Sequence, residues 1–176
     1  SPWGIEEYHN FVEEFVSTLG PKEFYLLGHS FGGGLALAYA VQHPDKVKKL
    51  FLVAAAIRRK KNLRKNTLRV IAKIGKLFSL LPFYTLFRKA VYKYIIRTSD
   101  YPYQKGIMKD IYLKIVDQDL SPLLSGVKVP TVILWGAKDD VLPLGDAYFI
   151  REHIANSQFI VFPEGDHDPE QRMPEI

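Results

Sequence analysis

Cysteine is absent from this 176-residue chain. Its absence excludes disulfides, a thiol nucleophile and any metal site built on thiolates, while leaving the compartment open. No apolar run approaches the ~18 to 20 residues that a helix needs to cross a bilayer, so no helical membrane span is expected. Internal repeats and low-complexity tracts are also missing, which sets aside a solenoid or a fibrous chain. Acidic residues are scarce in one stretch. From Arg58 to Lys114 there are 16 Lys or Arg against two acids, Asp100 and Asp110, a local charge of +14. The remainder holds 8 basic and 17 acidic residues, or −9, so the overall +5 conceals a basic insert on an acidic core. A 47% hydrophobic and 13% aromatic content suits a globular chain of about one domain's length.

What is present is an alternation of strand-like and helix-like segments. Ile5 to Leu19 reads as a helix with Ile5, Tyr8, Val12, Phe15, Val16 and Leu19 on one face, ended by Gly20-Pro21. Phe24 to Gly28 is an apolar strand, and Phe31 to Gln42 is a helix rich in small residues (Gly32, Gly33, Gly34, Ala36, Ala38, Ala40), as close packing on a sheet requires. Val47 to Ala54 is the next strand. After the long basic interruption come strands at Thr131 and Gln158, with a helix from Leu144 to Ala155 between them. This order predicts an α/β fold, a parallel sheet of about four strands covered by helices.

The run Leu26-Leu27-Gly28-His29-Ser30-Phe31-Gly32-Gly33 breaks from strand into helix through a glycine-bracketed serine. It reads as a nucleophile elbow, a turn so tight that glycine is expected at both flanks to avoid collisions of neighbouring Cβ atoms. A helix starting there aims unpaired N–H groups at the place where charge would develop on an attacked carbonyl. A serine needs a base within hydrogen-bond reach and a third group to orient that base. Two later strand ends carry candidates: Trp135-Gly136-Ala137-Lys138-Asp139-Asp140-Val141-Leu142-Pro143, and Pro163-Glu164-Gly165-Asp166-His167. Spacing by itself does not separate Asp139 from Asp140. Of the other histidines, His9 and His153 lie in helix-like stretches, and His43 ends a helix where its charge suits the dipole. His29 adjoins Ser30, but consecutive strand residues point to opposite faces, so it does not easily reach the hydroxyl.

Gly28-x-Ser30-x-Gly32 after an apolar strand resembles the α/β-hydrolase family, and the acid and histidine loops follow in that family's order. The resemblance implies Ser30 as nucleophile, Asp139 as triad acid with Asp140 as fallback, His167 as base, and the Phe31 N–H as one oxyanion donor. It implies acyl transfer, most often on a small-molecule carboxylic ester, with no metal and no organic cofactor. Carbon–carbon bond hydrolases, amidases and acyltransferases share such a triad, and a non-catalytic binding module is the alternative from another class.

The same resemblance places residues 1–56 and 122–176 in the hydrolase core and residues 57–121 in an inserted helical cap. Val70, Ile71, Ile74, Leu77, Phe78 and Leu81 form an apolar stripe in that insert, opposite Lys65, Arg69, Lys73 and Lys76. With Phe83, Tyr84, Phe87, Tyr92 and Tyr94 interleaved, its basic face is a candidate for docking on an anionic membrane surface. Nucleic acid is not an expected partner, since no recognisable nucleic-acid fold accompanies the charge. The family carries four strands before the elbow strand, together with a loop that donates a second oxyanion N–H, whereas 23 residues precede Phe24 here. The chain thus resembles the C-terminal two-thirds of a hydrolase, and an N-terminal fragment completing the sheet is expected beside the elbow strand.

Overall fold

The apolar runs at Phe24, Val47, Thr131 and Gln158 all become strands, and they share one sheet. The computed structural model describes residues 2–58, 110–111, 114–115 and 118–168. The chain divides into two units, Ser1–Arg59 with Asp110–Ile176, and Lys60–Lys109. The second unit, with the amphipathic stripe and the aromatics of the basic insert, lies outside the described residues, as do the residues after Asp168. The strands are β1 (Phe24–His29), β2 (Val47–Val53), β3 (Thr131–Gly136) and β4 (Gln158–Phe162), the helices α1 (Ile5–Leu19), α2 (Phe31–Gln42) and α3 (Leu144–His153). All neighbours pair parallel in the order β1-β2-β3-β4, the α/β architecture that the alternation predicts.

Alternation along the strands divides the apolar residues between two faces. Leu50, Leu52, Ile133 and Trp135 join Leu37, Tyr39 and Ile150 in the main core, while Val53, Val132 and Leu134 form a smaller cluster with Phe51 and Phe162 on the other face. Leu27 pairs with Phe51 on that second face, and Tyr25 and Leu27 are 69% and 62% exposed there. Strand β1 is one outer strand of the described sheet and β4 the other.

Helix α2 is buried along most of its length, and its Gly33, Gly34, Ala36, Ala38 and Ala40 let it lie close to the sheet. Burial pushes the Tyr39 phenol above its ordinary pKa, with the carboxylates of Glu13 and Asp45 adding to the shift. Helix α1 opens with the Gly4 N–H donating to Glu7 Oε2 at 2.7 Å, a bond that holds the Glu7 carboxyl below its usual range. It closes at Gly20, whose φ of 63° is left-handed. The expected apolar face of α1 is narrower than its sequence period suggests. His9 and Val16 are buried, but Phe15 and Leu19 are 55% and 65% exposed, because Phe15 lies with Phe11 on an adjoining ridge and Leu19 occupies the last turn.

The two glycines that bracket the elbow are not equivalent, which corrects the expectation that both relieve a collision. A Cβ on Gly28 would run into the carbonyl oxygen of Gly32 and sit 2.7 Å from Ala36 Cβ, whereas a Cβ on Gly32 meets nothing within 4 Å. The close approach is that of β1 to the first turn of α2, and only the strand side is crowded. Gly28→Ala is therefore expected to destabilise the protein by about 1–3 kcal/mol through overpacking against backbone. Gly32→Ala, inside a helix, is expected to be neutral or to stabilise by up to about 1 kcal/mol. Thermal unfolding of both variants checks the contrast, and equal losses would refute it.

Candidate active site

Ser30 joins β1 to α2 with φ 51° and ψ −119°, a conformation that costs a residue with a Cβ on the order of 1–3 kcal/mol. Neighbouring backbone holds it there. The Ser30 N–H donates to Val53 O at 3.0 Å, and its carbonyl accepts from Gly33 N at 3.0 Å and from Ala56 N at 2.8 Å. The exit of β2 thus clamps the turn from both sides. Ala54, also at positive φ, is fixed in the same region by donating its N–H to Leu134 O at 3.0 Å.

The acid loop is built at the end of β3. Trp135, fully buried, donates its indole Nε1–H to Leu142 O at 2.9 Å and draws the loop back onto the sheet. Inside that loop Asp139 Oδ1 accepts from Val141 N at 2.9 Å and Leu142 N at 2.7 Å, which leaves Oδ2 to face outward from the turn. The Asp139 side chain is 0% exposed, while Asp140 is exposed to solvent.

The loop after β4 is fastened to the acid loop. Ala137 N–H donates to Phe162 O and Lys138 N–H to Gly165 O, each at 2.9 Å, and Lys138 pairs with Glu164. Gly136 permits this contact, since a Cβ there would collide with the carbonyl oxygens of Gly165 and Asp166. His167 then stands with Nδ1 2.9 Å from Asp139 Oδ2 and Nε2 3.1 Å from Ser30 Oγ. A carboxylate only accepts, so Nδ1 carries the proton and Nε2 offers its lone pair to the serine O–H. Three side chains from three strand ends are therefore joined in one line, and the contact to His167 falls to Asp139, the residue that spacing could not separate from Asp140.

Phe31 is the first residue of α2, so its N–H has no preceding helical turn to receive it. Its ring packs edge-on against Tyr8 at 5.2 Å, and Tyr8 in turn meets Trp3 at 5.1 Å, giving an aromatic row beside the elbow. The remaining histidines have other surroundings. His9 is buried near Tyr39, His43 pairs with Glu13 at 3.2 Å, and His153 Nδ1 donates to Phe149 O at 2.8 Å. His29 is different: its Nε2–H donates to the backbone carbonyl of His167 at 2.8 Å. Strand alternation directs it away from the Ser30 hydroxyl, but nothing in the sequence reports that the loop after β4 passes its ring. Among the described residues no cluster of three or more His, Asp or Glu is placed to hold a metal ion.

Comparison with known proteins shows what the chain as a whole is similar to. The model of the alpha/beta hydrolase fold matches residues 1–85. Monoacylglycerol lipase ABHD6 of Mus musculus is 28% identical over 97% of the chain and 56% of its own length. Among solved structures, an esterase from Exiguobacterium antarcticum superposes with a TM-score of 0.71 at 23% identity, over 99% of the chain and 71% of its own. A meta-cleavage product hydrolase from Pseudomonas fluorescens gives a TM-score of 0.65 at 17% identity, over 99% of the chain and 69% of its own. These matches show that the chain has the α/β-hydrolase fold, and its sequence resembles that family. It spans about half the length of the first curated relatives it matches.

The strain at Ser30 separates two variants that both remove the hydroxyl. Ser30→Gly relieves the positive φ and Ser30→Ala does not, so the glycine variant is expected to be the more stable by about 1 kcal/mol. For a chain of this size that is roughly 2–4 °C in Tm. Equal midpoints would mean that the turn is not strained.

Proposed function

We propose that the protein carrying this chain is a serine hydrolase that works by acyl transfer, with Ser30 as nucleophile, His167 as base and Asp139 as the residue that orients it. The observation that carries the reading is the unbroken line Asp139 Oδ2, His167 Nδ1 and Nε2, Ser30 Oγ, with links of 2.9 and 3.1 Å. Those are hydrogen-bond distances before any substrate is bound. His167 Nε2 takes the Ser30 hydroxyl proton as Oγ attacks a carbonyl carbon, and the carbonyl oxygen becomes an anion stabilised by the Phe31 N–H. As the tetrahedral species collapses, His167 returns the proton to the departing alcohol oxygen and the acyl group stays on Oγ. Water, losing its proton to the same nitrogen, then attacks the acyl carbon, and as the bond from that carbon to Oγ breaks His167 passes the proton to Ser30 Oγ and the acid leaves. Asp139 stays ionised throughout and stabilises the imidazolium formed in each half. Pinned by two backbone N–H groups, it offers His167 an oxygen already in place.

A carboxylic ester is the substrate class we favour. The names of a relative, a monoacylglycerol lipase, and of a structural neighbour, an esterase, support it. The aromatic row of Trp3, Tyr8 and Phe31 beside the elbow suits an apolar acyl group.

A fluorophosphonate probe, which reacts only with an activated serine, is expected to label the purified protein at Ser30 and not the Ser30→Ala variant. Labelling that survives Ser30→Ala would overturn the assignment. Asp139→Asn is expected to slow labelling or ester turnover by about 10⁴-fold through loss of the correct tautomer, while Asp140→Asn leaves the rate unchanged. The reverse pattern would move the acid to Asp140.

A further inference from the structure

We infer that His29 is a positioning residue for the base: its imidazole grips the backbone of His167 and so fixes that ring over Ser30. The inference rests on the hydrolase reading of the site and adds a fourth residue to it.

A carbonyl oxygen can only accept, so the 2.8 Å contact from His29 Nε2 to His167 O places a proton on that nitrogen. Asp168 Oδ1 lies 3.5 Å from the same nitrogen and favours the proton there as well. The rings of His29 and His167 lie 5.0 Å apart, inclined at 50°. The bond therefore reaches the main chain of the very residue that bears the base, from the residue adjoining the nucleophile.

The span of the loop explains why such a grip matters. It leaves the sheet at β4 and delivers its histidine to the end of β1, three strands away, about 14 Å at ordinary strand spacing. Over β3 it is fastened by the bonds of Ala137 and Lys138 and by the close fit at Gly136. At the β1 end the contact between His167 Nε2 and Ser30 Oγ is one the reaction must break, because an acylated Oγ has no proton to donate. The His29 bond touches neither reacting atom. It persists while the acyl group occupies Ser30, when His167 must still be in place to activate water.

Three variants test this through the rate of fluorophosphonate labelling, measured against probe concentration in the purified protein. His29→Ala and His29→Phe, the second keeping a ring of similar size, both lose the donor. Each is expected to lower the maximal labelling rate about 10- to 100-fold, the scale of a displacement near 1 Å, with the half-saturating probe concentration unchanged. His29→Gln, which retains an N–H donor at comparable reach, is expected to recover most of the rate. Wild-type labelling with undiminished rates in His29→Phe would overturn the inference, and so would a His29→Gln variant as slow as His29→Phe. Should His29→Ala fail to fold, the Phe and Gln pair decides. Failure of the wild type itself to label would instead overturn the hydrolase reading.

Discussion

Because the four strands run parallel and pair in sequential order, their carboxyl ends open along one edge of the sheet, and every group of the candidate site is delivered from that edge. Ser30 follows β1, Asp139 follows β3 and His167 follows β4. Reversing any one strand would send its loop to the opposite edge, out of reach of the others. Register matters equally. Leu52 stands beside both Gly28 and Ile133, and Gly136 beside Phe162, so β1 and β2 end level with each other while β3 and β4 run two residues further together. The buried rows Leu50, Leu52, Ile133 and Trp135 fix that register, since a one-residue slip would turn the main core outward.

On this frame the strained turn and the two loops carry different burdens. The elbow stores backbone strain at Ser30 and is held by three backbone hydrogen bonds, two of them to the exit of β2. Bonds to a neighbouring strand, rather than side-chain packing, over-determine the turn, and this explains why a residue with a Cβ persists at positive φ. The acid loop is a hydrogen-bonded turn around a buried carboxylate, anchored by one indole. The histidine loop has the longest distance to cover and borrows rigidity from both sides, from the acid loop over β3 and from His29 at β1.

Much of this was legible in the sequence, for identifiable reasons. Alternating apolar strands and a small-residue helix fold locally as their periods dictate, and α2, β4 and α1 occupy the segments read from their patterns. Legibility failed where a neighbour decided the outcome. Phe15 and Leu19 fit the period of α1, yet they remain exposed because the helix buries only a narrow face. Gly32 looks the equal of Gly28 in the motif, but the β1 side alone meets another backbone.

The sequence by itself determined the element order, the parallel sheet and three chemistry-bearing residues at strand ends, because strand and helix periods and turn chemistry are properties of adjacent residues. Tertiary structure put Asp139, which the resemblance implied but spacing could not separate from Asp140, against His167, and it alone decided that the ring of His29 lies under the carbonyl of a residue 138 positions away. Those outcomes depend on a loop turning one oxygen inward and on strand ends being brought together, and no local pattern encodes a distance between segments so far apart in the chain.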